Sequence, residues 1–216
     1  MHKLSGIVIL LICFIKCNNQ INAIDRIRKE LPIQTNGKLI RNIPARYLDS
    51  SISLEMSIKR KNSLRLLPIE SGKEGFQVRI WEDYLNNSGV LLILDYSINK
   101  WSSKGYSYKA YSKDGSWLDS LVGNDLSLKE PVSGWENFMN KLVDENLLTL
   151  KDYDNIPNYF VATDMVGLSV EIASTNYYRF YVLPNAKHQP TKIPDVESIL
   201  KISTLIKKEF PQLSKQ

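Results

Sequence analysis

Three charged side chains interrupt apolar runs: Arg79 in FQVRIW, Glu171 in LSVEIA and Arg179 in YYRFYV. Set among hydrophobic neighbours, arginine forks grip a carboxylate or phosphate through paired hydrogen bonds. The same residues also suit the wet face of a half-covered sheet. Glu171 and Arg179 would then face each other as a cross-strand pair, worth under about 1 kcal/mol when exposed. A second set is aromatic. Between Trp81 and Trp117 lie three of the four tryptophans, Trp81, Trp101 and Trp117, and tyrosines that include Tyr106 and Tyr108. A flat ring matches the apolar face of a pyranose, so this band reads as a sugar-stacking platform or as filling for a helix-on-sheet core.

Other chemistries find less to work with. Asp83, Asp95, Asp164 and Glu171 supply carboxylates for glycoside hydrolysis, but spacing in sequence does not place any two at a working separation. Asp152-x-Asp154 lacks the glycine and glutamate of a calcium loop. No glycine-rich phosphate loop occurs, and no metal site or cofactor is read. Lys59-Arg60-Lys61 reads as a basic turn, solvated or in contact with phosphate or lipid headgroups.

The first residues explain some of these absences. Met1-His2-Lys3 puts a small positive head before the uncharged apolar run Ile7 to Ile15, the pattern of a secretory leader and too short to span a bilayer. Residues 1–23 are read as that leader, with two processing outcomes. In one, Cys17 is lipidated and Asn18-Asn19-Gln20 begins a polar tether, although Lys16 stands where such sites want a small residue. In the other, ordinary cleavage follows Ala23, with Ile21 and Ala23 at the recognition positions. The second removes both cysteines and His2, leaving His188 alone, which excludes a thiol nucleophile, a disulfide framework and a Cys/His zinc site. Removing Lys3 and Lys16 leaves 26 basic against 23 acidic residues, a net +3. That is too mild to imply nucleic acid.

The elements that must position these side chains follow from periodicity. Residues 24–50 read as tether and entry segment, with a weakly helical Ala23 to Leu31 stopped by Pro32. A single α+β domain is expected over 51–212, with two main helices on one face of a mainly antiparallel sheet. Its strands are expected at Ile52 to Ile58, Phe76 to Tyr84, Val90 to Tyr96 and Lys104 to Ser112, in a meander. Val90 to Tyr96 is apolar enough to be covered on both faces. Trp117, Leu118, Leu121 and Val122 hint at a helical turn. Ser133 and Glu136 form a capping box for a helix reaching Leu148, and Phe160 to Met165 suggests a further strand. The hairpin Leu168 to Pro184 is expected to gather Leu168, Val170, Ile172, Tyr178, Phe180 and Val182 on its greasy side. A last helix, capped by Asp195, runs to Phe210 with an apolar stripe at spacings of three and four.

The strand ending in Arg79-Ile80-Trp81, the helix opening on Trp135, the Val170-Glu171-Ile172 strand, the Tyr178-Arg179-Phe180-Tyr181 strand and the aliphatic last helix resemble a group of small uncharacterised bacterial exported lipoproteins. The likeness covers about residues 64–210, and Pro184-Asn185 reverses that group's Asn-Pro. It implies export and an α+β fold, with no activity, cofactor or site residue to transfer. The expected function is that of an exported, envelope-anchored, non-catalytic domain, facing the periplasm or exterior, that binds an envelope protein or glycan. The alternatives are a carbohydrate-binding module using the aromatic band and a carboxylate-based envelope hydrolase. The alternative location is soluble and secreted after cleavage at Ala23.

Overall fold

A computed structural model of the chain describes residues 22–32, 38–45, 58–111, 120–161 and 167–214. They build a seven-stranded sheet in the order β1-β7-β6-β2-β3-β4-β5. The strands are β1 (Ile40–Asn42), β2 (Phe76–Asp83), β3 (Ser88–Ser97), β4 (Lys100–Tyr111), β5 (Ser120–Leu126), β6 (Gly167–Ser174) and β7 (Tyr177–Pro184). All neighbours are antiparallel except β1 and β7. The helices are α1 (Ala23–Glu30), α2 (Trp135–Asp144) and α3 (Pro194–Glu209), with a further helical stretch at 58–63. The expected α+β class holds, and β2 to β5 form the meander.

Alternation in β2 sends Phe76, Val78 and Ile80 into the main core with Leu92 and Leu94 of β3, Val170 and Ile172 of β6, and the stripes of α2 and α3. Gln77, Arg79 and Trp81 point the other way and are buried as well. As expected, β3 is covered on both faces: Leu91 and Ile93 join a second cluster with Leu64, Trp81, Tyr108 and Leu121.

Several elements depart from expectation. Of the strand read at Ile52 to Ile58, residues 52–57 lie outside the described residues, and Ile58 is helical. The basic triplet is therefore helical where described, with Lys61 buried. Leu121 and Val122 belong to β5 rather than a helical turn. Phe160 and Val161 are exposed coil, and 162–166 lie outside the described residues. The capping box does not form: Gly134 is the cap of α2, the Ser133 amide donates to Glu209 at 2.7 Å, and Glu136 accepts the Ala23 amide at 2.7 Å. Asp195 accepts the Lys151 amide at 2.8 Å, while Ile193 occupies the cap of α3.

The hairpin turns at 175–176, and Leu168, Val170 and Ile172 stand opposite Leu183, Tyr181 and Arg179. Tyr178 and Phe180 are therefore on the other face, one residue out of the expected phase, and such a slip exchanges every side chain. The segment read as tether is packed: Ala23, Ile24, Ile27 and Leu31 lie in the main core.

Candidate functional site

The face of the sheet turned away from α2 and α3 is roofed by residues 58–75. Two apolar contacts pin this roof. Leu64 sits with Trp81 and Tyr108, and Ile69 sits with Ala173 and Tyr178. Between them lies a cluster of buried charges. Arg79 and Glu171 are direct partners in the β2–β6 register and only 2% and 1% exposed. Arg79 Nη1 is 3.6 Å from Glu171 Oε2, while its Nε donates to Gln77 Oε1 at 2.9 Å and its Nη2 to the Leu67 carbonyl at 2.5 Å. Lys61 Nζ reaches Glu171 Oε1 at 2.8 Å and also bonds Glu70. The Tyr178 hydroxyl donates to Glu171 Oε1 at 3.3 Å.

Two cations thus meet two carboxylates, and the group is neutral. Its loosest link is the one between Arg79 Nη1 and Glu171 Oε2. Both atoms are buried without a hydrogen bond, at a separation too long for one. The cluster extends along β2 to the sheet end. The Gln77 amide donates to Asp95 Oδ1 at 2.6 Å, Lys73 Nζ approaches the same oxygen at 2.8 Å, and Ser97 donates to Oδ2 at 2.9 Å.

Ionisation follows these contacts. Burial raises the Glu70 carboxyl, but the Lys61 bond and charge and two backbone amides outweigh it and hold the group below its usual range. At Asp95, burial is likewise outweighed by Lys73, Gln77 and Ser97. Burial, and then Glu171, pushes the Tyr178 hydroxyl up, so it stays protonated as a donor.

Nearby, Arg60 Nη1 donates to Asp83 Oδ2 at 3.0 Å, the Tyr108 hydroxyl donates to Asp83 Oδ1 at 2.6 Å, and Arg60 lies about equally close to the Trp81 and Tyr108 rings. Burial and the Asp83 charge raise the Tyr108 hydroxyl.

The other residues singled out in the sequence are scattered. Arg179 stands opposite Ile172, not Glu171, and so points to the helix-covered face. There it donates to the Leu148 and Leu150 carbonyls beyond the end of α2 and lies over the Tyr181 ring at 5.1 Å. The aromatic band is split between faces. Trp81 and Tyr108 belong to the cluster under the roof, where they meet edge to face at 5.7 Å. Trp101 faces the helices and stacks on Trp135 at 5.9 Å. Tyr106 is half-buried beside the Trp81 cluster. Trp81 and Trp101 are 4% and 6% exposed, so the two do not share an open platform. Trp117, Asp164 and Cys17 lie outside the described residues.

No family model matches the chain, and no curated protein or solved structure does. Among the described residues, no three His, Cys, Asp or Glu side chains are grouped to hold a metal ion, and no helix is long and apolar enough to cross a membrane.

Sequence reasoning placed Lys61 on a basic turn rather than in the buried cluster, and missed Glu70 and Lys73. Lys61 on the helical stretch and Leu64 just past it sit three apart, a spacing masked by the apparent strand alternation before it. Glu82 was missed too. It continues the inward parity of Phe76, Val78 and Ile80, and meets Lys207 at 2.7 Å, Lys187 at 3.6 Å and the Ser203 hydroxyl at 3.4 Å. Buried carboxylates are tolerated when paired in this way.

Proposed function

We propose that this chain is an exported, envelope-anchored domain without catalytic activity, acting through its surface as an accessory or interaction module for an envelope protein. The observation that carries this reading is the closed charge cluster. Arg79, Glu171 and Lys61, the charged groups best placed to bind a ligand, are buried under residues 58–75 and spent on one another. Of the other carboxylates considered for hydrolysis, the two among the described residues are engaged in the same manner, Asp83 by Arg60 and Tyr108, Asp95 by Lys73, Gln77 and Ser97. A general acid needs a raised carboxyl pKa, and Asp95 is moved the opposite way. The leader and the cysteine that follows its apolar run supply the export and anchoring part of the proposal.

Expression of the full chain in a bacterial host, followed by membrane fractionation and intact-mass measurement, tests it. The expected result is a chain that sediments with membranes, resists high salt, dissolves in detergent and retains Asn22 and Ala23. A soluble protein beginning at Ile24 overturns the anchoring. Hydrolysis of an envelope glycan that disappears in Glu171→Gln overturns the absence of catalysis.

A further inference from the structure

We infer that the sheet end carrying Ile98 and Asn99 docks on a lipid bilayer, with Ile98 entering the boundary between headgroups and acyl chains. The inference rests on the anchored reading above. Ser97 pairs with Lys100, so Ile98 and Asn99 are the whole loop between β3 and β4. Both have positive φ, 50° and 56°. A two-residue hairpin loop of this kind calls for Asn, Asp or Gly. Asn99 meets that demand, whereas a β-branched side chain in the left-handed region is an outlier. Ile98 is also 99% exposed. One residue therefore combines backbone strain with a bare apolar side chain, and Asn or Gly would relieve both. A strained position of this sort is a reason to look for what it contacts.

The fold supplies the direction. On α2, Glu136, Asn140 and Asp144 recur every fourth residue and form one flank. Glu136 takes the Ala23 amide, and Arg26 of α1 meets Asn140 and Asp144. Lys141 and Glu145 lie on the opposite flank, facing Glu209 and Lys201 of α3. α2 therefore lies between α1 and α3. Ser203 and Lys207 of α3 meet Glu82, at the far end of β2 from Phe76. Phe76 stands opposite Tyr96, two residues before Ile98. The start of α1 is held beside Trp135, which stacks on Trp101, the register partner of Tyr96.

The chain thus enters the domain at the end from which Ile98 projects. Only four residues separate Cys17 from Asn22, a fully extended reach of about 18 Å. An anchor at or before Cys17 holds this end toward the bilayer. Lys100, exposed beside the tip, favours anionic headgroups, with Glu74 the opposing exposed charge. The main contact is apolar.

The test uses the full chain, reconstituted in vesicles of phosphatidylethanolamine and phosphatidylglycerol or held in detergent, with amide hydrogen exchange read at residues 97–100. Exchange is expected to slow by about tenfold or more in vesicles. The Ile98→Asn variant is expected to lose that protection while melting no lower than the parent, because Asn suits the left-handed loop. Four outcomes overturn the inference. Failure to float with vesicles removes the anchor and the docking together. Flotation with unchanged exchange leaves the anchor and removes the docking. Protection that survives in Ile98→Asn comes from the tether alone. Protection that appears in detergent as protein concentration rises means that a second copy covers the tip.

Discussion

Replacing Glu171 by Gln is the sharpest probe of whether the buried charges hold the fold together. The carboxylate answers Lys61 at 2.8 Å and Arg79 at 3.6 Å, and Glu171 is 1% exposed. Without its charge, two cations remain under the roof against Glu70 alone. Removing one partner of a buried ion pair costs about 3–5 kcal/mol, because the charge left behind has lost its compensation. Total stabilities are about 5–15 kcal/mol, so the variant folds marginally or not at all. With a urea m-value of about 2 kcal/mol/M, the midpoint should fall by about 2 M at unchanged slope. Tryptophan fluorescence reports the transition, since Trp81 lies beneath the same roof. Combining Glu171→Gln with Lys61→Met removes one charge of each sign, and should recover about 0.5–3 kcal/mol of the sum of the single losses. Tyr178→Phe, a milder change that keeps the protein folded, deletes a 3.3 Å bond and should cost about 0.5–1.5 kcal/mol. Glu171→Gln within about 0.5 kcal/mol of the parent would refute the reasoning. The cluster would then be hydrated and open to a ligand.

Two further outcomes follow from the same face of the sheet. Gly75 has φ +80°, and a Cβ there would lie 2.1 Å from the Tyr96 carbonyl oxygen. Gly75→Ala must therefore shift the entry to β2 and should lower the melting temperature by several degrees in a thermal scan, at about 2–4 °C per kcal/mol. On acidification, Glu70 and Asp95 set the response, since both are held below their usual range. A depressed carboxyl contributes stability that is fully present above its unfolded value, about 4, and is lost as pH falls through the folded value. Urea midpoints should be flat from about pH 7 to 5 and drop below about 4, and Asp95→Asn should flatten part of that drop.

Period-two alternation carried most of what could be read beforehand. β2 and β3 follow it residue by residue, because both faces of the sheet are packed and each parity has an apolar destination. β7 misled for the same reason. Tyr177, Tyr181 and Leu183 are apolar at one parity, Tyr178 and Phe180 at the other, and only pairing with β6 decides which set joins Ile172. In the capping box, Glu136 turned away from its own helix because the Ala23 amide, more than a hundred residues distant, is the donor it meets. A local pattern cannot announce such a partner. Likewise, Lys61 looked wet because its two carboxylates come from Glu70, nine residues on, and Glu171 in β6.

The charged residues within strands make sense once the chain that covers them is considered. A packed helix satisfies most of its own backbone, so the strands beneath it need only be apolar. An irregular cover leaves carbonyls that need donors. Arg79 serves the Leu67 carbonyl in the roof, and Arg179 serves those of Leu148 and Leu150 where the chain has left α2. Tyr181 does the same for Leu147 at 2.8 Å. The two arginines thus perform one task on opposite faces, each fastening non-helical chain to the sheet. The differing company they keep accounts for Glu171. Arg179 lies at a half-buried position with carbonyls and a ring about it, whereas Arg79 is sealed in and shares its site with Lys61, so of the two arginines only Arg79 has a buried carboxylate beside it.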